Sequence, residues 1–203
     1  VDLLICGGGV YGAWTAYDAA LRGLKVMIVE QNDWASATSS ASSKLIHGGL
    51  RYLETYDFKL VSKALKEREM LLRTAPHRVW PLRFGVPVYS HQRINRLQLK
   101  CGLVIYDFLA GDSHLHQSHA YLSRRRFTEH FDFLTENTLK GGFTYGDAQT
   151  DDARLVLELI AGAMSAGASC INYCKLTRLL ESDGLASGAI IQDQVSQTEQ
   201  TIH

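Results

Sequence analysis

DLLICGGGVYGAWTAYDAALRGLKVMIVE, residues 2–30, decides the fold. Asp2 to Cys6 is a short apolar run ending in glycines, the pattern of a strand buried on both faces. Ala13 to Arg22 sets small and apolar residues at helical spacing, and Gly23 is a natural stop for that helix. Lys25 to Glu30 reads as a second buried strand. Strand, glycine turn, helix and strand within about 30 residues make a βαβ unit with a right-handed crossover. The expected class is α/β, a Rossmann-like domain on a parallel sheet.

Gly7-Gly8-Gly9-Val10-Tyr11-Gly12 fits G-x-G-x-x-G. Gly7 permits the tight turn, Gly9 lets backbone approach a pyrophosphate, and Gly12 lets the helix pack close to the sheet. The helix N-terminus offers unpaired amides and partial positive charge to phosphate oxygens. Glu30, ending the second strand, is placed to take both hydroxyls of an adenosine ribose. An acid there repels a 2′-phosphate, which disfavours NADP. NAD and FAD share this fingerprint, so the next segment discriminates. SATSSASSKLIHGGLRYL, residues 36–53, follows the acid with small hydroxyls, a lysine, a histidine, two glycines and an arginine. Small hydroxyls and bare backbone suit a loop pressed against pyrophosphate and a flat ring, and the arginine suits an anionic substrate beside it. A flavin protein has reason to run its chain back along the extended cofactor.

Asp57 reads as a helix cap. Leu60, Val61, Ala64, Leu65, Arg68, Leu71 and Leu72 then form one stripe at a 3.6 period, until Pro76. Pro76, Pro81 and Pro87 share one short window, read as a crossover out of the nucleotide domain. Short β-like pieces, 82–89 and 142–145, surround a helix near 97–109. Asp151 or Asp152 caps a helix over 153–166 that stops at Gly167, and a strand over 169–174 follows. Asp183-Gly184 predicts a hairpin turn. The expected domains are 1–80, the first part of the nucleotide domain; 81–147, an inserted mixed α+β substrate region; and 148–203, the return to the first domain.

The chain has 203 residues, 46% hydrophobic and 21% charged, with formal net charge zero. No global field favours nucleic acid, so any attraction to anions is local. Cys6, Cys101, Cys170 and Cys174 lack C-x-x-C or framework spacing and read as buried reduced thiols, which points to the cytosolic side of a membrane or the cytosol. No apolar run approaches the roughly 20 residues that span a bilayer. The start inside a core strand and the polar tail suggest a fragment.

GGGVYGAWTAYDAALRGLKVMIVEQNDWASATSSASSKLIHGGLRYLE, residues 7–54, resembles the N-terminus of the FAD-dependent glycerol-3-phosphate dehydrogenases, in the D-amino-acid-oxidase-like flavoprotein group. The likeness continues through LVSKALKEREMLL (60–72), GLVIYDFLAG (102–111) and FTYGDAQTDDARLVL (143–157), and is patchy over 88–140. The serine-rich run into KLIHGGLRYLE is specific to that family; the glycine fingerprint alone is not. The resemblance implies FAD as cofactor, glycerol 3-phosphate as substrate and a membrane quinone as electron acceptor. It implies a peripheral protein on the inner face of a bacterial-type cell membrane, with a homodimer as a candidate assembly. It places Gln31 at the cofactor, Thr38 and Ser39 by the pyrophosphate, and Lys44, Leu45, His47, Gly48 and Gly49 along the flavin. Arg51 and Tyr52 face the substrate, and the Leu176 backbone touches the adenine. The other readings are an amine or amino-acid oxidase of the same group and a non-catalytic FAD-binding fragment.

Several residues keep two readings. His47 is a general base or a backbone-positioning residue, Arg51 a phosphate anchor or a structural ion-pair partner, Lys44 a flavin contact or a solvated charge. Asp112, His114, His116, His119 and His130 match no family motif; without a helical i,i+4 pair or supporting carboxylates they read as a solvated loop, and no metal is expected. Tyr145-x-Asp147 and Asp151-Asp152-x-Arg154 read as a strand end and a capped helix. His91, Arg93, Arg96 and Lys100 interleave with Leu97, Leu99, Leu103 and Phe108, with Arg124 to Arg126 nearby. That pattern is either an interfacial helix or a packed helix with a wet basic face.

Overall fold

In the computed structural model, residues 1–111, 118–134 and 137–203 are described. Strand β1 (Leu3–Cys6) pairs in parallel with β2 (Val26–Val29), which pairs in parallel with β7 (Ser169–Ile171). Helix α1 (Val10–Leu21) covers the sheet and packs against α5 (Asp152–Ser165). The contact face of α1 is Ala13, Ala16, Ala19 and Ala20, all buried. Bare methyls let α5 approach closely, and its larger Val156, Leu159 and Ile160 fill the space above Val26 and Ile28. Burying each such branched side chain is worth about 1.5–3 kcal/mol, which holds the two helices together.

The βαβ expectation is met, with one correction. Strand β1 is an end strand of the three, so Leu3, Leu4 and Ile5 are only half-buried and Cys6 is exposed. The buried-thiol expectation fails there and at Cys101, also exposed; Cys170 is half-buried and Cys174 buried, and all four are free. Burial pushes the Cys170 and Cys174 thiols up, with Asp193 adding to the second.

Strand β8 (Cys174–Ser182) and β9 (Leu185–Asp193) form an antiparallel hairpin, continued by β10 (Glu199–Ile202). Asp183 (φ 54°) and Gly184 (φ 78°) are both left-handed, as a two-residue hairpin turn requires. The polar tail therefore ends in a paired strand. The strand expected over 169–174 ends at Ile171, because Tyr173 (φ 51°) turns the chain before β8.

Residues 45–150 form a second compact unit, and 1–44 with 151–203 the first. These bounds lie after Lys44 and Thr150, whereas the sequence division was drawn at 80 and 147. In the second unit, β6 (Leu139–Thr150) is the central strand. Strand β4 (Val79–Tyr89) runs antiparallel along one side of it, while β3 (Leu45–Ile46) and β5 (Ala120–Ser123) share the other. The proline window is therefore no crossover: Pro81 and Pro87 lie inside β4, an outer strand, where a residue without an N–H is tolerated. Pro76 does follow α2 (Phe58–Thr74), which Asp57 caps by accepting from the Leu60 amide. Helix α3 (Arg96–Ala110) starts in an Asn95–Gln98 capping box, and a short α4 (Arg124–His130) buries Phe127 beside Gly142.

Candidate functional site

The glycine turn leaves β1 at Gly7 (φ +113°), a conformation open to glycine and few others. A Cβ on Gly12 would stand 1.9 Å from the Gly7 carbonyl oxygen, so only hydrogen fits where α1 meets the turn. Gly8, outside the fingerprint's requirements, is also crowded: a Cβ there would come within 2.3 Å of the Trp34 ring. The Gly8 amide donates to Glu30 Oε2 at 2.7 Å, and the Asn32 amide to Oε1 at 2.9 Å. Glu30 thus ties the turn to the end of β2. A carboxylate has about four lone-pair directions, so this half-buried side chain keeps acceptor capacity for two sugar hydroxyls.

Gly9 is the N-cap of α1 and has no side chain to offer. Ser39 supplies the missing cap from 29 residues away, its Oγ accepting from the Val10 amide at 3.0 Å. The next amides of the first turn have no acceptor within the helix. Around them lies a cavity of about 410 Å³ lined by Gly7, Gly9, Glu30, Ala35, Thr38 and Ser39, among others. A glycine cradle, a dipole end and a hydroxyl rim, with an acid at the far side, fit the pyrophosphate and ribose of a dinucleotide.

The hydroxyl loop is pinned by α5. Ser42 donates to Asp152 Oδ2 at 2.5 Å, and Lys44 Nζ lies 2.6 Å from Oδ1. Burial works against ionising Asp152, but Lys44, Ser42 and the Ala153 amide outweigh it and hold the carboxyl below its usual range. Asp152 in turn raises the Lys44 ammonium. Lys44 is therefore neither a loose solvated charge nor a free cation: it anchors the loop. Gln31 is exposed, and Leu176 in β8 is half-buried against Val29, Cys174, Ile191 and Ile202.

In the second unit, Leu45 and Ile46 pair with Gln149 and Ala148 of β6. His47 follows, exposed; Gly48 and Gly49 are buried. Gly49 (φ +71°) starts a 3-10 turn, Leu50–Thr55, that carries Arg51 and Tyr52. Arg51 is exposed and has no ion-pair or hydrogen-bond partner among the described residues, so its structural ion-pair reading finds no counterpart there. It lines a cavity of about 890 Å³ with Leu50, Phe58, Leu97 and Tyr145. Burial and Asp147 push the Tyr145 hydroxyl up to about 12.

Behind the glycine pair lies a network that the sequence reading missed. Arg68, counted into the apolar stripe of α2, is fully buried and meets Asp147 at 2.6 Å; the Tyr106 hydroxyl joins them. An arginine on the inward stripe was itself the signal, because a buried cation needs a buried anion.

Asp112, His114 and His116 lie outside the described residues. His119 pairs with Asp107 at 2.6 Å, and His130 Nδ1 lies 2.8 Å from the Arg126 carbonyl. Among the described residues no three metal-ligating side chains converge.

The profile of the family described as FAD dependent oxidoreductase matches residues 2–202. A glycerol-3-phosphate dehydrogenase of Synechocystis sp. is 44% identical over 100% of this chain, which spans 37% of that protein. A D-erythritol 1-phosphate dehydrogenase of Brucella abortus is 43% identical over 98% of this chain and 38% of its own length. Among solved structures, the glycerol-3-phosphate dehydrogenase from Bacillus halodurans complexed with FAD superposes with a TM-score of 0.75. It is 31% identical and is matched over 100% of this chain and 32% of that one. The chain thus spans little more than a third of the length of these two curated relatives.

Proposed function

The chain belongs to the FAD-dependent oxidoreductase family, and from that premise we propose that it forms the cofactor-binding portion and first substrate-facing turn of a polyol-phosphate dehydrogenase. The reaction is oxidation of sn-glycerol 3-phosphate to dihydroxyacetone phosphate, with electrons passed to a quinone. The observation that carries this reading is Arg51: exposed, unpaired among the described residues, and held at the rim of a large cavity by a left-handed glycine turn. It is supported by 44% and 43% identity, over 100% and 98% of this chain, to two proteins whose substrates are named polyol phosphates.

FAD, when bound, supplies the hydride acceptor for a secondary alcohol. Gly7, Gly9, Gly12, Thr38 and Ser39 would hold the pyrophosphate at the start of α1, and Glu30 the ribose, with Gln31 beside it. Leu45, Gly48 and Gly49 would hold the flavin, with Lys44 fixing the loop end, and the Leu176 backbone would hold the adenine. Arg51 takes the substrate phosphate, because its planar fork matches two phosphate oxygens at once. Tyr52 flanks it. His47 takes the hydroxyl proton or sets the backbone beside the group that does.

Membrane contact, which would bring the quinone acceptor within reach, rests on α3. Leu97 and Phe108 are 69% and 83% exposed, with Arg93 and Lys100 close in sequence. No helix among the described residues is long and apolar enough to cross a bilayer.

D-erythritol 1-phosphate is the second reading, favoured by the 43% identical relative. The phosphate anchor would be the same and only the polyol longer. The test is anaerobic reduction of the flavin-loaded protein, followed as bleaching near about 450 nm, the region of oxidised flavin absorbance. Glycerol 3-phosphate should bleach it faster than D-erythritol 1-phosphate, and free amino acids should not bleach it. Bleaching by glycine or proline but by neither phosphate ester overturns the proposal in favour of an amino-acid oxidase.

A further inference from the structure

His47 and Arg51 have no side-chain partner among the described residues, so their place is set through the backbone that joins them. That backbone is clasped from behind. The Tyr106 hydroxyl lies 2.8 and 2.9 Å from the two Asp147 oxygens and donates there. Its oxygen then accepts from the Gly48 amide at 2.8 Å, and Asp147 Oδ1 stands 3.3 Å from the same amide. Arg68 balances the carboxylate, donating to Oδ1 at 2.6 Å and to the Gly146 carbonyl at 3.0 Å. Tyr106 and Asp147 are each 1% exposed. Burial, with Asp147 beside it, pushes the Tyr106 hydroxyl well above the usual tyrosine range, so it remains a donor to the carboxylate.

Contact is direct. A Cβ on Gly48 would fall 2.5 Å from the Tyr106 hydroxyl and 2.5 Å from Leu65, so no side chain fits between clasp and chain. Gly49 then reverses direction, and the Tyr52 amide returns to the Gly49 carbonyl at 2.8 Å, closing the turn over Leu50 and Arg51.

We infer that Tyr106 and Asp147 are positioning residues, which hold the Gly48 amide and through it place His47 and Arg51 for the reaction. The catalytic consequence rests on the polyol-phosphate reading above; the clasp does not. A misplacement of about 1 Å far from the chemistry can cost about 10²-fold in rate, so an exposed anchor on a two-glycine turn gains from a rigid backing.

Tyr106→Phe in the flavin-loaded protein is the test, because it removes one hydroxyl and keeps the ring packing. Three quantities are read: exchange of the Gly48 amide without substrate, kcat and KM for glycerol 3-phosphate separately, and melting temperature. Gly48 exchange should quicken about tenfold or more if one hydrogen bond is lost, and kcat/KM should fall at least tenfold. Asp147→Asn, which preserves shape, should move both in the same direction. Phe127→Leu is the control, buried against Gly142 and Phe131 and away from the turn. It should lower the melting temperature and leave Gly48 exchange and kcat/KM in place. Unchanged Gly48 exchange in Tyr106→Phe overturns the clasp. Faster exchange with unchanged kcat/KM, or an equal fall of kcat/KM in Phe127→Leu, overturns the positioning role. If the wild-type protein ignores glycerol 3-phosphate, the substrate reading fails by itself and the exchange measurement still decides the clasp.

Discussion

Two glycine turns in this molecule are held by a carboxylate that catches a backbone amide, and they differ in what the carboxylate has left to give. At the first, Glu30 catches the Gly8 amide, is half-buried, and borders a cavity. At the second, Asp147 lies fully buried and already receives Arg68, Tyr106 and Gly48. The half-buried acid both builds its turn and can bind a ligand. The buried one only builds, and it needs a counter-charge because an isolated carboxylate inside protein is too costly to keep ionised.

The contrast breaks most visibly at the buried turn. Asp147→Ala leaves Arg68 buried without its anion, and denaturant unfolding should register a loss of about 3–5 kcal/mol. Combining it with Arg68→Met should recover part of that loss. Strict additivity of the two changes would mean that the pair is not the coupled unit described here.

At the first turn the expected effects fall mainly on the ligand. Gly12→Ala forces a methyl onto the Gly7 carbonyl, and overpacking of this kind costs about 1–3 kcal/mol. FAD affinity, measured by fluorescence titration, should drop more than tenfold. Glu30→Gln is milder. It keeps one acceptor and turns the other into a donor facing an amide, a loss of about 1–3 kcal/mol, with weaker FAD binding. An equal change in stability and no change in FAD binding would make Glu30 a builder like Asp147.

The smallest effect belongs to the loop between the turns. Asp152 titrates below its usual range in the folded chain. Its contribution to stability is therefore present in full above the unfolded carboxylate pKa of about 3.9 and fades as pH falls through the lower folded value. Asp152→Asn should flatten the acid limb of a stability profile below about pH 4. An unaltered limb would show that Ser42 and Lys44 do not hold this loop through Asp152.

Legibility in the sequence follows the same divide. The βαβ unit, the Asp57 and Asp151 caps and the Asp183-Gly184 hairpin are local, set by spacing and backbone preference over a few residues, and they appear in the structure as expected. The Ser39 cap on α1, the Trp34 ring over Gly8 and the Arg68–Asp147 pair, 79 residues apart, are tertiary contacts with no periodicity to betray them. Arg68 was visible only as a charge on an inward stripe. The three prolines misled because an outer strand tolerates what an inner strand does not. The glycine turn was readable because its geometry depends on backbone; the contacts on the Gly48 amide were not, because they come from α3 and β6.

The account turns on Arg51 as the anchor for a phosphate. The most direct measurement is the glycerol 3-phosphate concentration that half-reduces the flavin under anaerobic conditions, in wild type and in Arg51→Ala. Loss of a charge-assisted pair at a bound anion, about 2–5 kcal/mol, predicts that the variant needs at least about thirtyfold more substrate. Equal concentrations in the two proteins would contradict the account.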